Sequence, residues 1–183
     1  MASPLDTILD GHEFQRIVAE YFRCLKDEEH RYKITDIEVE DNGEGPDGGC
    51  DILVVFHFED AIKQHSHRWV VECKFHNKSV GVGSVDTNNL YGVLKSNNAN
   101  GYLLVCKKDA STTLRQRFRD MSANEDYDFV IWNGTQLWRK FVERKSLLKA
   151  FFPSFYKAKI EDSDDQSNFD KLYKKYQQKN NER

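Results

Sequence analysis

Gly101-Tyr-Leu-Leu-Val-Cys106 is an uncharged, nearly all-apolar run between Asn100 and Lys107. A run of this kind is expected of a central strand buried on both faces. Segments of helical period stand on either side of it. Residues 85–97 carry Leu90, Val93 and Leu94 on one face, and residues 111–121 start at Ser111, a side chain suited to capping. A central strand between two helices requires a sheet with helical layers against it.

The remaining elements extend this reading. Residues 11–29 place Phe14, Ile17, Val18, Tyr21, Phe22 and Leu25 at spacings of three and four, one apolar helical face that Asp10 or Gly11 can start. Residues 32–40 alternate polar and apolar as a half-buried strand does. The segment DNGEGPDGG at 41–49 is a loop. Strands follow at 50–58 and 68–76, and the short polar connection between them favours an antiparallel hairpin. A last strand at 128–132 is turned by Asn133-Gly134. It leads into one helix over 135–152, with Leu137, Phe141, Val142 and Leu147 inward and Pro153 closing it. The expected fold is α/β in three layers, a mixed central sheet flanked by helices. The expected division is a domain over 1–156 and a polar tail over 157–183. In the tail Phe169, Leu172, Tyr173 and Tyr176 keep helical spacing.

Charge and composition exclude several classes. The formal net charge is −3, so the chain does not coat nucleic acid by bulk charge, and any cationic surface is local. Lys107, Lys108, Arg115, Arg117 and Arg119 supply one candidate patch. No apolar run approaches the roughly 20 residues that cross a bilayer, and the N-terminus lacks a basic start followed by an apolar stretch. The expected setting is intracellular and cytoplasmic, away from membranes. The four cysteines form no CxxC pair, which argues against a zinc knuckle and for small side chains in a reducing compartment.

Chemistry concentrates where charge interrupts an apolar strand, in Trp69-Val-Val-Glu-Cys-Lys-Phe75. Alternation puts Glu72 and Lys74 on one face and Val71 and Cys73 on the other. Asp51 opens the neighbouring strand directly after the glycine-rich loop. Two converging carboxylates suit a hard cation such as Mg²⁺, and a lysine beside them can orient water or stabilise developing negative charge. His76, two further residues along, is expected on the same face. Lys78 and Ser79 in the following loop are candidates for contacts to a DNA backbone. His65-Ser-His67 offers a weaker metal pair and reads more simply as a solvated hairpin.

These pieces resemble the PD-(D/E)xK nuclease superfamily, and within it the Mrr-like restriction endonucleases. Gly11-His-Glu-Phe-Gln15 resembles the opening GxxFE helix. Gly45-Pro-Asp-Gly-Gly-Cys-Asp51 resembles the approach to the metal aspartate, and Val71-Glu-Cys-Lys74 the ExK strand. Gly101-Tyr-Leu-Leu-Val105 and the segment from Asp128 to Leu137 resemble the later strands. The resemblance implies a restriction-endonuclease-like fold and endonucleolytic phosphodiester hydrolysis of DNA with Mg²⁺, for which Mn²⁺ can substitute. Asp51 and Glu72 carry over as metal ligands and Lys74 as the catalytic lysine. Asp47 is the aspartate of the literal Pro-Asp pair, but it lies in the loop. Gln15 stands where the family offers a glutamate. Its carbonyl can orient a metal-bound water, with Glu13 and Glu20 as alternatives. A single active site facing a duplex favours a homodimer or a subunit of a larger assembly. Two further readings share the fold, an effector nuclease switched by a partner or second messenger, and a binding module with impaired catalysis.

Overall fold

The computed structural model describes residues 3–26, 34–43, 49–124 and 126–158. Its contacts divide the chain into two units, Met1–Arg144 and Lys145–Arg183. This division precedes the expected boundary at 156/157. The helix expected over 135–152 is interrupted at Glu143-Arg144, giving α4 (Gly134–Val142) and α5 (Lys145–Phe151). Pro153 does not close that helix; it opens a short α6, Pro153–Tyr156, where its missing N–H costs nothing. The apolar positions of the expected tail helix lie outside the described residues.

The first unit holds a five-stranded sheet in the order β1-β2-β3-β4-β5. The strands are Ile34–Asp41, Ile52–Glu59, Gln64–Lys74, Gly101–Cys106 and Asp128–Trp132. β1, β2 and β3 pair antiparallel, whereas β4 and β5 join parallel, so the sheet is mixed as expected. β3 starts earlier than the sequence suggests, because β2 and β3 stay in register out to Glu59↔Gln64. It also ends earlier, at Lys74, so strand alternation does not extend to His76.

β4 is buried at every position. On one face of the sheet Val70, Tyr102, Leu104, Cys106 and Phe129 form a core with α2 (Leu90–Ser96) and α3 (Thr112–Asn124), through Leu94, Leu114 and Phe118 among others. On the other face lie α1 (Gly11–Lys26) and α4. Tyr21 meets Trp132 and Phe141 edge-on or tilted, and Phe22 meets Phe56. α1 begins where Asp10 Oδ1 accepts from the Glu13 N–H at 2.8 Å. α2 begins later than the apolar pattern suggests. Val85 is buried, yet it lies in extended backbone that caps a 3-10 turn running from Val82 to Ser84. Asn133 is a helix cap as well as a turn residue, since its side chain accepts from the Gln136 N–H while Gln136 returns the bond. Gly101 opens β4 because a Cβ there would stand 2.6 Å from the Trp69 ring.

The β2–β3 hairpin turns at Asp60, whose carboxylate accepts from the Ile62 and Lys63 N–H groups and from His65. The Lys63 amide bond, then His65, hold its carboxyl down at about 2. A depressed carboxyl contributes stability above its ordinary value of 3.8 and loses it as the pH falls through about 2. The Asp60 carboxyl carbon is therefore expected to titrate by NMR with a midpoint near 2, and a midpoint near 3.8 would refute the turn bonding. Among the described residues no helix is long and apolar enough to cross a membrane.

Candidate active site

β1 and β3–β5 end, and β2 begins, at one edge of the sheet, as their pairing requires. There Asp51 continues the β2–β3 ladder for one bond, its N–H donating to the Val71 carbonyl at 3.1 Å. Two residues further along β3, the Cys73 N–H donates to the Asp51 carboxylate, at 2.6 Å to Oδ2. Cys73 separates Glu72 from Lys74. One peptide unit therefore ties the Asp51 carboxylate to the pair that strand alternation presents, and the three expected residues come together.

Glu72 is only 8% exposed. A carboxylate so buried needs partners on both oxygens. Lys74 Nζ lies 2.6 Å from Oε1. The Tyr102 hydroxyl donates to Oε2. Burial first, and the Glu72 charge second, push the Tyr102 phenol well above its usual range, so it remains a donor. The same causes raise the Cys106 thiol to about 12. The Cys73 thiol is also held well above its usual value, by burial and then by the charges of Asp51, Glu72 and Asp41.

Asp41 was not singled out by the sequence. It ends β1 opposite Ile52, and Gln15 links it to the site. Gln15, 8% exposed, donates from Nε2 to Asp41 Oδ1 at 2.7 Å and to the Asp51 carbonyl at 3.0 Å. Both neighbours are acceptors, so the amide nitrogen faces the Asp41 carboxylate and the Asp51 backbone carbonyl. The Asn42 side chain adds a bond to the Cys50 carbonyl at 2.7 Å, and its N–H one to Asp51 at 3.0 Å. Glu13 bonds the Leu9 N–H and Glu20 pairs with Arg23. Asp47 lies outside the described residues.

Past β3, His76, Lys78 and Ser79 are exposed. The expected basic patch is dispersed. Lys107 is buried at 5% exposure, its ammonium 3.2 Å from Asn77 Oδ1 and 4.0 Å from the Phe75 ring centre. Lys108 pairs with Asp6, Arg115 with Asp109, and Arg117 with Asn88. The two histidines of the hairpin part company, His65 to Asp60 and His67 onto the Trp69 ring.

Among the described residues no three His, Cys, Asp or Glu side chains form a cage for a metal ion. The two carboxylates brought together at this end of the sheet, Asp51 and Glu72, would be the donors for such an ion. That set fits Mg²⁺, which is commonly held by one or two carboxylates and completes its shell with waters and substrate phosphate.

Comparison with known proteins agrees with the architecture. No curated protein sequence matches the chain. Among solved structures it resembles the DNA modification-dependent restriction endonuclease AspBHI, with a TM-score of 0.51 at 13% identity. That alignment covers 98% of this chain and 41% of AspBHI, so the chain spans less than half the length of that protein. The MspJI restriction endonuclease, in a complex with a 27-mer oligonucleotide, aligns with a TM-score of 0.46 at 17% identity, over 88% of this chain and 30% of its own. Residues 7–140 match the Mrr catalytic family model, described as restriction endonuclease, and the chain belongs to that restriction endonuclease family.

Proposed function

We propose that this chain is a Mg²⁺-dependent DNA endonuclease, of restriction or defence type, that hydrolyses phosphodiester bonds at Asp51, Glu72 and Lys74. The observation that carries the reading is the bond from the Cys73 N–H to the Asp51 carboxylate, which sets one acid beside a second acid and a lysine. Membership of the restriction endonuclease family supports it.

Asp51 and Glu72 would hold the cation. When bound, Mg²⁺ supplies charge stabilisation at the scissile phosphate and lowers the pKa of a coordinated water. The chain's own residues do the rest. Lys74 sits at the solvent side of Glu72, with a quarter of its side chain exposed, where an ammonium can meet developing negative charge. Gln15 holds the start of β2 through the Asp51 carbonyl and the end of β1 through Asp41. It is thus assigned a positioning role. His76, Lys78 and Ser79, exposed beyond the end of β3, would contact the DNA backbone, and Mn²⁺ would substitute for Mg²⁺. One such site serves one strand of a duplex. The working form is therefore a homodimer or a subunit of a larger assembly, in an intracellular setting. The domain that carries out the chemistry is placed within residues 1–156.

The test is direct. Supercoiled plasmid is incubated with the protein in Mg²⁺, in Mn²⁺ and in EDTA. Nicked or linear product in either metal and none in EDTA is expected. Cleavage that persists in EDTA, or no cleavage of plasmid in either metal, would remove the proposal.

A further inference from the structure

We infer that Tyr102 is a positioning residue for this centre: its hydroxyl fixes the inner oxygen of Glu72 and leaves the oxygen beside Lys74 to take the cation. The inference rests on the proposed reading of Asp51 and Glu72 as a metal-binding pair.

Tyr102 lies in β4, in register with Val70, one strand away from Glu72. It is 1% exposed, and its ring is packed against Phe118 at 6.1 Å and Phe129 at 6.5 Å between centroids. The hydrophobic core that holds the ring includes Val70 and Leu104 from the sheet and Leu114 and Phe118 from α3. Phenylalanine would fill the same space. A hydroxyl at such a depth costs free energy unless it finds an acceptor, and the acceptor is Glu72 Oε2.

The two partners of Glu72 differ in kind. Lys74 opposes its charge, and Tyr102 does not. A neutral O–H makes a charge-assisted bond that fixes the carboxylate plane while the full negative charge remains for a cation. The Tyr102 bond comes from a fully buried residue of the next strand, and the Lys74 contact from a side chain that is a quarter exposed. Outer partners of this kind set the orientation of a ligating carboxylate and are worth about 10- to 100-fold in metal affinity or activity.

The experiment compares the full chain with Tyr102→Phe, and with Tyr91→Phe as a tyrosine outside the centre. Mn²⁺ binding is measured by calorimetry without DNA, and plasmid cleavage is measured as a function of Mg²⁺. Tyr102→Phe should weaken Mn²⁺ binding about 10-fold or more and move the Mg²⁺ midpoint of cleavage upward by a similar factor, with most of the rate recovered at saturating metal. Tyr91→Phe should change neither. A folded Tyr102→Phe with unchanged metal affinity, or with a lower maximal rate at an unchanged midpoint, overturns the role of Tyr102 and leaves the nuclease reading standing. A wild type that binds no Mn²⁺ and cuts nothing overturns both. Should the variant fail to fold, the wild type still decides. With ¹³C-labelled tyrosine, Mn²⁺ should broaden the Tyr102 ring signal, identified by its contacts to Phe118 and Phe129, more strongly than those of Tyr21, Tyr91 and Tyr127. A spared Tyr102 signal would overturn the inference.

Discussion

Lys74→Met is expected to lower the rate of plasmid cleavage about 100- to 1000-fold at saturating Mg²⁺, the usual loss when one group aimed at transition-state charge is removed. Methionine keeps most of the side chain's length and apolar stem, so the change removes the ammonium and little else. In the resting protein that ammonium sits 2.6 Å from Glu72 Oε1. Its loss leaves Glu72 with Tyr102 as its other partner, and the fold should lose about 1–3 kcal/mol, the cost of one unsatisfied buried acceptor. A stability change of that size leaves the protein folded at assay temperature, and far-UV circular dichroism and a melting curve would verify this. The two effects are therefore separable. If Lys74 were only the counter-ion of Glu72, Lys74→Met would melt earlier and still cut at nearly the wild-type rate. That outcome would take the lysine out of the chemistry. Lys74→Arg sharpens the comparison, since it keeps the charge but replaces a compact ammonium by a planar fork.

Residues of this centre differ in how much their sequence context discloses. Glu72 and Lys74 are visible because charges in an apolar strand are costly and alternation fixes their common face. Asp51 is visible because a strand follows it at once, and the hairpin carries it to β3. The α1 face and the buried β4 run are legible for the same reason: periodicity reports burial directly. Tyr102 is hidden by its surroundings, because one more aromatic in GYLLVC looks like core, and only a neighbouring strand's acceptor gives its hydroxyl a use. Asp41 is hidden at the start of a glycine-rich loop, where an aspartate reads as turn chemistry. Lys107-Lys108 reads as a basic pair, yet adjacent residues at a strand end diverge. One ammonium goes under Phe75 and the other to Asp6. The late start of α2 and the break after α4 follow from a similar limit. Val85 is buried as fully in the extended backbone after a turn as it would be in a helix, and apolar spacing cannot tell the two apart.

Gln15 shows where residue type alone misleads, and it yields the second large effect. The resemblance suggests that a glutamate belongs there, yet the two groups facing the Gln15 amide are the Asp41 carboxylate and the Asp51 carbonyl. Gln15→Glu would place a second negative charge in a position only 8% exposed, against two acceptors, and would remove the donor that joins β1 to β2. The expected loss is about 3 kcal/mol of folding stability, since a buried charge with no partner is among the costliest single changes. The loss comes from a specific pair, so a double-mutant cycle isolates it. Asp41→Asn alone should cost about 1 kcal/mol, the worth of a typical hydrogen bond. Combined with Gln15→Glu, it exchanges donor and acceptor across the same 2.7 Å contact, because the new amide at 41 can donate to the new carboxylate at 15. The double variant should therefore be more stable than Gln15→Glu alone, with a favourable coupling of about 1–3 kcal/mol by urea denaturation. Additive losses would show that residues 15 and 41 do not face each other as described. A stable Gln15→Glu single variant would go further, showing that this position accepts a carboxylate as the family's opening helix does.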